Sequence, residues 1–280
     1  MTLMVCQGWM RAIVPMGVAA SLCLFFGTSV EASELIKLSG NISCPITCDP
    51  SLGIEGYTVD IARAIFEPLG YKIVYQILPW QRAIQDTRAG RESDGVLGAV
   101  RDDATNDFIF PRLEAGIERF SLFKLKRFQW KYSGARSLDA VQIGISNADL
   151  PWDDVGKTLV ERSRQPNSNV QTLFSHDATR INLEKLIRGR IDLVMDDDAV
   201  LVFESQVPAY RDKMDRAMYL GDGKPIYIAF APHDSRAKTL SEIFDAGMRR
   251  LRKSGELKHI MARYGMSDWA KESGTMRLHK

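Results

Sequence analysis

Apolar residues in the first half of the chain recur with two periods, one typical of helices and one typical of strands. The stretch 58–70 carries apolar residues at helical spacing, and a second helical pattern covers 80–90. Residues 71–77 (YKIVYQI) alternate as a half-buried strand does, and 94–100 is continuously apolar, like a strand covered on both faces. With a short strand at 35–39, this β-α-β-α-β series predicts a mostly parallel sheet with helices on its faces.

Polar residues and glycines mark where these helices should begin and end. Thr58 is suited to cap the first helix, with Asp60 in its first turn, where a carboxylate favours the helix dipole. Gly90 and Gly189 each follow a helical pattern, at the position where a left-handed residue commonly ends a helix.

One order of elements occurs twice, about a hundred residues apart. Segments 84–100 and 183–200 each contain a helix, a Gly-Arg pair, a short turn with aspartate and an apolar strand. Strand patterns at 141–145 and 170–174 precede the second copy and flank a helical segment. The repetition predicts two lobes of similar plan.

Two extended stretches, 118–128 and 217–232, are expected to cross between these lobes. Because the chain crosses twice, the first lobe should be completed by the C-terminal part, where two amphipathic helices are divided at Ser254 and Gly255. The expected boundaries are 33–122 with 222–280 for lobe 1, and 123–221 for lobe 2.

The N-terminal segment differs from the rest of the chain. One positive charge precedes an apolar stretch of about 16 residues, shorter than the roughly 20 that a membrane span needs. Val30 and Ala32 then occupy the small-residue positions of a cleavage site. We expect residues 1–32 to be a signal peptide and the mature chain to begin near Ser33. An uncleaved anchor helix is the alternative.

Composition and charge narrow the class of partner. Hydrophobic residues make up 45% of the chain and charged residues 26%, which is typical of a soluble globular protein. The formal net charge is +2, and the lysines and arginines are scattered. We therefore expect neither a nucleic-acid partner nor a polybasic contact with a membrane.

Export changes the interpretation of the cysteines. Cys44 and Cys48 belong to the mature chain, and a pair four residues apart around Pro45 can close a small disulfide loop in an oxidising compartment. Two free thiols or a metal pair are the alternatives. No second Cys or His pair stands at ligand spacing in the sequence, so neither a metal site nor a cofactor is expected.

The carboxyl ends of parallel strands are where an open α/β sheet has its ligand crevice. Polar residues follow three predicted strands at this edge, and two aromatic residues stand at the starts of the first two helices. The candidate ligand-binding residues are Tyr57, Trp80, Arg101, Asp102, Ser146, Asn147 and Asp197. Two alternatives stay open: Trp80 as a core anchor between helix and sheet, and Asp196 and Asp198 as a solvated acidic turn.

Two long stretches carry a resemblance to a known family. Residues 56–100, from GYTVDIARAIF to DGVLGAV, resemble the opening lobe of the type 2 periplasmic solute-binding proteins, in the polar amino-acid group of ABC importers. Residues 225–265, from PIYIAFAP to MARYG, resemble that family's final helices. The resemblance implies an α/β fold of two lobes, each a mostly parallel sheet flanked by helices, joined by a two-strand hinge.

The function implied by this resemblance is the capture of a solute without any catalysed reaction. A periplasmic monomer would close over a small polar solute, an amino acid or a related amine or zwitterion, and deliver it to an inner-membrane ABC permease. A sensor without its own permease would use the same cleft. An enzyme on this scaffold, similar to a dehydratase or a lytic transglycosylase, is the other alternative, with Asp102, Asp103 or Asp196 as its acid or base.

Only some of the family's ligand-contacting residues have counterparts in this chain. Asp197 matches the acceptor for the ligand's ammonium group, and Trp80 matches the ring that walls the ligand. The family's carboxylate-binding arginine falls at Ala104 or Thr105, while Arg101 stands several residues earlier. Either Arg101 substitutes from a different angle, or the ligand lacks an amino-acid carboxylate in the usual pose.

Overall fold

The computed structural model describes residues 33–146, 153–175 and 177–270. Over these ranges, no helix is both long enough and apolar enough to cross a membrane. The expected signal peptide, residues 1–32, lies outside the described residues, and so does the candidate Asn147.

The secondary structure alternates between strands and helices along most of the described chain. The strands are β1 Glu34–Gly40, β2 Tyr71–Ile77, β3 Gly95–Ala99, β4 Gly116–Leu125, β5 Ile143–Ser146, β6 Val170–Leu173, β7 Leu193–Asp197 and β8 Met214–Phe230. The helices are α1 Tyr57–Phe66, α2 Trp80–Arg88, α3 Asp154–Ser163, α4 Ala178–Ile187, α5 Asp198–Ser205, α6 Ala237–Ser254 and α7 Glu256–Ala262. Short 3₁₀ turns cover Pro50–Leu52, Glu67–Leu69 and Ala135–Leu138.

The described strands form one eight-stranded sheet in the order β2-β1-β3-β8-β4-β7-β5-β6. Pairing within β2-β1-β3 and within β7-β5-β6 is parallel, as predicted. Between these groups lie β4 and β8, which pair antiparallel with each other and with their outer neighbours. Strand β8 is 17 residues long and pairs with β4 from Met214 to Ile226 and with β3 from Tyr227 to Phe230. The two segments that were predicted to be extended correspond to β4 and β8.

Buried side chains form separate apolar clusters in the two parallel groups. One cluster packs β1, β3 and the end of β8 against α1, α6 and α7, and it includes Tyr57, Phe66 and Phe244. Clusters around the other group include Leu122 and Leu183. The C-terminal helices therefore pack with the first strands of the chain, as the double crossing predicted.

Glycines at three positions shape the helix ends and the helix packing. Gly90 and Gly189 have φ angles of 62° and 68°, so the prediction of left-handed residues is confirmed at both. Gly247 lies in the middle of α6, where a Cβ atom would stand 2.5 Å from a side-chain carbon of Ile65 in α1. The absence of a side chain lets α6 approach α1 closely.

One prediction about helix starts is wrong, and one helix was missed. Helix α1 begins at Tyr57 with Gly56 as its N-cap, and the Thr58 hydroxyl instead donates a hydrogen bond of 2.7 Å to the backbone oxygen of Ile46. Helix α5, from Asp198, was not predicted, because three consecutive aspartates resemble a turn. In the structure these aspartates end a strand and start a helix.

Cys44 and Cys48 form a disulfide, with an S–S distance of 2.05 Å. The loop that they close lies at the start of α1. The backbone N–H of Tyr57 donates to the oxygen of Pro45 at 2.8 Å, and that of Thr58 donates to the oxygen of Ile46 at 3.3 Å. Of the three alternatives for the cysteines, the structure has the disulfide.

Candidate functional site

Asp197 ends strand β7, and its side chain caps helix α5. The residue is 7% exposed. Its Oδ1 accepts hydrogen bonds from the backbone N–H groups of Ala199 at 2.8 Å and Val200 at 3.3 Å. Its Oδ2 accepts from the backbone N–H of Arg119 in β4 at 3.3 Å. One carboxylate thus connects a crossing strand to the first turn of a helix.

Ionisable side chains from α1, β4 and β7 lie close enough to affect one another. Burial raises the pKa of Asp197 well above its ordinary value, and the charges of Glu118 and Asp196 raise it further. Burial also raises the pKa of Tyr57, with further contributions from Asp197 and Glu118. The structure therefore brings two candidate residues, Tyr57 and Asp197, together beside a second carboxylate.

Tyr57 is fully buried and does not stand at an open rim. Its ring packs edge-on against Tyr264, with 6.2 Å between the ring centroids. Its hydroxyl is buried and has no hydrogen-bond partner in the described part of the chain. A Cβ atom at Gly116 would lie 2.5 Å from this hydroxyl, so the glycine makes room for it at the start of β4.

A cavity of about 270 Å³ opens between the crossing strands, the start of α1 and the first turns of α5. Its lining comes from five parts of the chain, including the segment after α7. The lining residues are Tyr57, Ile117, Arg119, Asp198, Ala199, Val202, Arg216, Gly265, Met266, Ser267 and Trp269.

Two arginines with different surroundings line this cavity. Arg216 in β8 forms an ion pair with Asp198, with 2.8 Å between Nη2 and Oδ2. Arg119 in β4 is 5% exposed, and its Nε and Nη1 atoms have no hydrogen-bond partner among the described residues. Both guanidinium groups lie 4.3 Å from the centroid of the Tyr219 ring.

Ser146 and Asp196 belong to a buried polar network at the ends of β5 and β7. The Ser146 hydroxyl accepts a hydrogen bond from Asn182 Nδ2 at 3.1 Å, and Thr179 donates to Asp196. Burial raises the pKa of Asp196 to about 6, against the opposing effect of the Thr179 hydrogen bond. Asp196 is 9% exposed and Asp198 is ion-paired, so the alternative of a solvated acidic turn is wrong.

Arg101 is held within the loop that follows β3. Its Nη2 donates to the backbone oxygen of Pro111 at 2.7 Å. Its guanidinium carbon lies 4.9 Å from the ring centroid of Phe110 and 4.8 Å from that of Tyr227. Arg101 lines a second cavity of about 550 Å³ that shares no lining residue with the first.

Asp102 lines the same second cavity and stabilises its own exposed loop. Its Oδ1 accepts hydrogen bonds from the backbone N–H of Ala104 at 3.0 Å and from the Thr105 hydroxyl at 3.1 Å. The positions that match the family's usual arginine, Ala104 and Thr105, thus belong to an Asx-type turn that Asp102 organises.

Trp80 is half-buried at the start of α2 and packs on an apolar cluster that includes Ala83, Ile84 and Phe108. This packing agrees with the alternative of a core anchor, while part of the ring stays accessible to solvent. Its role towards a ligand stays a prediction, as does that of Asn147.

Glu118, Arg119 and Arg216 were not identified as candidates from the sequence. Glu118 and Arg119 lie in the predicted crossing segment 118–128, whose alternating pattern suggested only extended structure. Arg216 stands one residue before the other predicted segment, 217–232, and belongs to β8 in the structure. The sequence carried no local signal for Arg119, whose burial beside neighbours such as Phe120 is evident only in the folded strand β4. In the described ranges, no group of three or more His, Cys, Asp or Glu side chains could hold a metal ion.

Comparison with known proteins supports the fold. No protein-family model matches the chain, and no curated protein matches it. Several solved structures match the chain. One is the second substrate-binding domain of a transporter assigned as an amino acid ABC transporter, from Streptococcus pneumoniae Canada MDR_19A. It has a TM-score of 0.62 and 22% sequence identity, over 82% of this chain and 99% of that domain.

Two further structures extend this likeness. Substrate-binding domain 2 of GlnP from Lactococcus lactis, in an open conformation, has a TM-score of 0.63 and 19% identity over 82% of this chain and 95% of that domain. A histidine kinase sensor domain with similarity to periplasmic binding proteins has a TM-score of 0.59 and 16% identity over 83% of this chain and 96% of that domain. The chain therefore has the two-lobed α/β fold of periplasmic binding proteins, as the resemblance implied.

Proposed function

We propose that this chain is a periplasmic solute-binding protein that captures a small polar solute by closure of two lobes and delivers it to an ABC importer. The solute is an amino acid or a related amine or zwitterion. The proposed lobes are 33–122 with 222–280, and 123–221. The fold shared with substrate-binding domains of amino-acid transporters supports this function. Because these relatives are binding proteins, we propose that the chain is not an enzyme.

The observation that carries the proposal is the meeting of carboxylates at the crossing strands. Burial disfavours the charged form of Asp197, and the charge of Glu118 raises the pKa of Asp197 further. An ammonium group beside Asp197 would favour its charged form, because an opposite charge acts strongly where water is largely excluded. A solute at this position touches strands that run between the proposed lobes, so its binding favours the closed arrangement.

The other candidate residues are proposed as contacts of the closed form. They come from the first lobe's rim and from the end of β5. These proposed contacts are Trp80, Arg101, Asp102, Ser146 and Asn147.

One specific observation favours a second candidate function. A histidine kinase sensor domain has the same fold over most of this chain. A sensor would bind its solute in the same cleft and report it to a membrane receptor. Co-purification with a membrane receptor but not with a permease would favour this function.

A thermal-shift screen of amino acids, polyamines and organic acids tests solute binding. A ligand stabilises the folded state by RT ln(1 + [L]/Kd), about 2.7 kcal/mol at a hundredfold excess over Kd. A solute-binding protein should give at least one hit. A screen without any hit would contradict the proposal, and turnover of a hit, detected by mass spectrometry, would favour an enzyme.

Asp197→Asn tests the assignment of the ammonium acceptor. Asparagine caps helices about as well as aspartate, so α5 should be retained while the charge is lost. We expect the ligand-induced thermal shift to disappear. Asp154→Asn is the matched control, since the Asp154 side chain lies fully exposed in the first turn of α3. An unchanged shift in Asp197→Asn would remove the assignment.

A further inference from the structure

Arg119 is a buried cation whose hydrogen-bonding capacity is largely unused. The residue is 5% exposed, and its Nε and Nη1 atoms have no hydrogen-bond partner in the described residues. Buried charges in proteins are usually paired, because removal from water without a counter-charge is unfavourable. The neighbouring Arg216 follows this rule through its ion pair with Asp198.

Next to Arg119 lies a second cation, Arg216, where an anion would be expected. Arg119 and Arg216 both lie 4.3 Å from the ring centroid of Tyr219. A stacked aromatic ring stabilises a guanidinium group from its face but leaves the N–H donors at its edge unsatisfied. Asp198 already binds two nitrogens of Arg216, so this carboxylate is committed to that arginine.

The cavity of about 270 Å³ offers room for an anion beside Arg119. Tyr57 lines the same cavity with a buried hydroxyl that lacks a partner. Its raised pKa keeps this hydroxyl protonated, so it is a second donor. The volume of about 270 Å³ lies just below the roughly 300–1,000 Å³ range that is typical of ligand pockets, which suits a small solute.

We propose that Arg119 binds the carboxylate of a small zwitterionic solute inside this cavity. The proposal rests on the function proposed above and specifies the solute's chemistry. The guanidinium of Arg119 donates a charge-assisted hydrogen bond to the carboxylate from one of its two free donors, Nε or Nη1. The nearby Asp197 carboxylate receives the ammonium group.

This assignment gives Arg119 the role that the sequence suggested for Arg101. Arg101 is already bonded to the Pro111 oxygen and flanked by two aromatic rings in a different cavity. The turn at Ala104 and Thr105 carries no arginine. A carboxylate anchor on a crossing strand also places the solute in contact with the segment that lobe closure bends.

Isothermal titration calorimetry with paired probes tests the proposal. The probes are glycine, L-alanine and L-serine, each beside its carboxamide, which keeps the ammonium group but lacks the carboxylate. Putrescine serves as an amine without any carboxylate. We expect wild-type protein to bind at least one of the amino acids about 10- to 100-fold more tightly than its carboxamide, the ratio typical of a hydrogen bond to a charged group.

Substitutions then assign the effect to one arginine. We expect Arg119→Gln to lose the preference for the acid, and Arg119→Lys to retain part of it, since lysine keeps the charge without the planar fork. Arg82→Gln is the matched control, because the Arg82 side chain is 67% exposed and pairs only with Asp86 among the described residues. Arg101→Gln tests the competing assignment.

The outcomes separate the two proposals. A preference for the acid that is lost in Arg119→Gln and kept in Arg101→Gln supports the assignment. Binding of putrescine or the carboxamides at least as tight as that of the acids overturns it while the solute-binding function stands. Loss of the preference in Arg101→Gln alone also overturns it. If no probe binds the wild-type protein, the assignment of Arg119 fails, while the solute-binding function is decided by the wider thermal-shift screen. The comparison of acid with carboxamide uses only wild-type protein, so it does not depend on whether any variant folds.

Discussion

Tyr57 and Tyr264 offer a paired test, because their rings touch while their hydroxyl groups have opposite surroundings. The Tyr57 hydroxyl is buried without a hydrogen-bond partner in the described structure. The Tyr264 hydroxyl donates to Asp60 and accepts from the backbone N–H of Gly56 at 3.1 Å. Substitution by phenylalanine at either position keeps the ring contact and removes only the hydroxyl.

The expected changes in stability differ in sign. An unsatisfied buried donor costs about 1–3 kcal/mol, so Tyr57→Phe should raise the free energy of unfolding by up to this amount. Tyr264→Phe loses a bond to a charged group and leaves the Gly56 N–H unpaired, so it should lower the free energy by about 2–4 kcal/mol. Each kcal/mol corresponds to a Tm change of roughly 2–4 °C for a domain of this size.

Urea denaturation followed by circular dichroism measures both effects without ligand. A Tyr57→Phe protein that is less stable than wild type by more than about 0.5 kcal/mol would refute the reasoning, since the hydroxyl would then be paired. With the hit from the solute screen, the same variant should lose part of its ligand-induced stabilisation. If Tyr57→Phe is more stable than wild type but binds the ligand less tightly, the Tyr57 hydroxyl contributes to binding at a cost in stability.

Two further predictions concern Asp196 and the disulfide. Because burial raises the pKa of Asp196 from 3.8 to about 6, the folded state holds this proton more tightly than the unfolded state. Stability should therefore fall by about 3 kcal/mol from this group as pH rises from about 4 to 6, and Asp196→Asn should flatten that part of the urea-unfolding profile. An equally steep decline in the variant would contradict this. Cys44→Ser/Cys48→Ser should lower the free energy of unfolding by about 2 kcal/mol, the chain-entropy value for a loop of this length. Wild-type protein with reductant should match the double variant, and a double variant as stable as the oxidised protein would contradict the expectation.

The local elements were predictable because their periods are clear. The alternation of YKIVYQI gave β2 its observed bounds, Tyr71–Ile77, and the glycine stops at Gly90 and Gly189 were correct. Helix α5 was missed because consecutive aspartates have low helix propensity, and the capping that starts this helix involves Asp197 and the neighbouring strand β4.

The candidate site was predictable only in part. The rule about carboxyl ends of strands identified Asp197, whose charge adds to the effect of burial in raising the pKa of Tyr57. It could not identify Arg119, because a charged residue within a strand carries no local sign of whether it is buried. That property depends on the pairing of β4 with β7 and β8, which brings together residues far apart in the chain.

The disulfide loop has a consequence for the start of α1. Two N–H groups in the first turn of α1 donate to the oxygens of Pro45 and Ile46, which lie between Cys44 and Cys48. A helix start normally recruits such acceptors from its own preceding residue. Here the disulfide restrains the loop that carries these acceptors, so oxidation of the two thiols favours the ordered turn that carries Tyr57. The disulfide thereby stabilises one wall of the cavity.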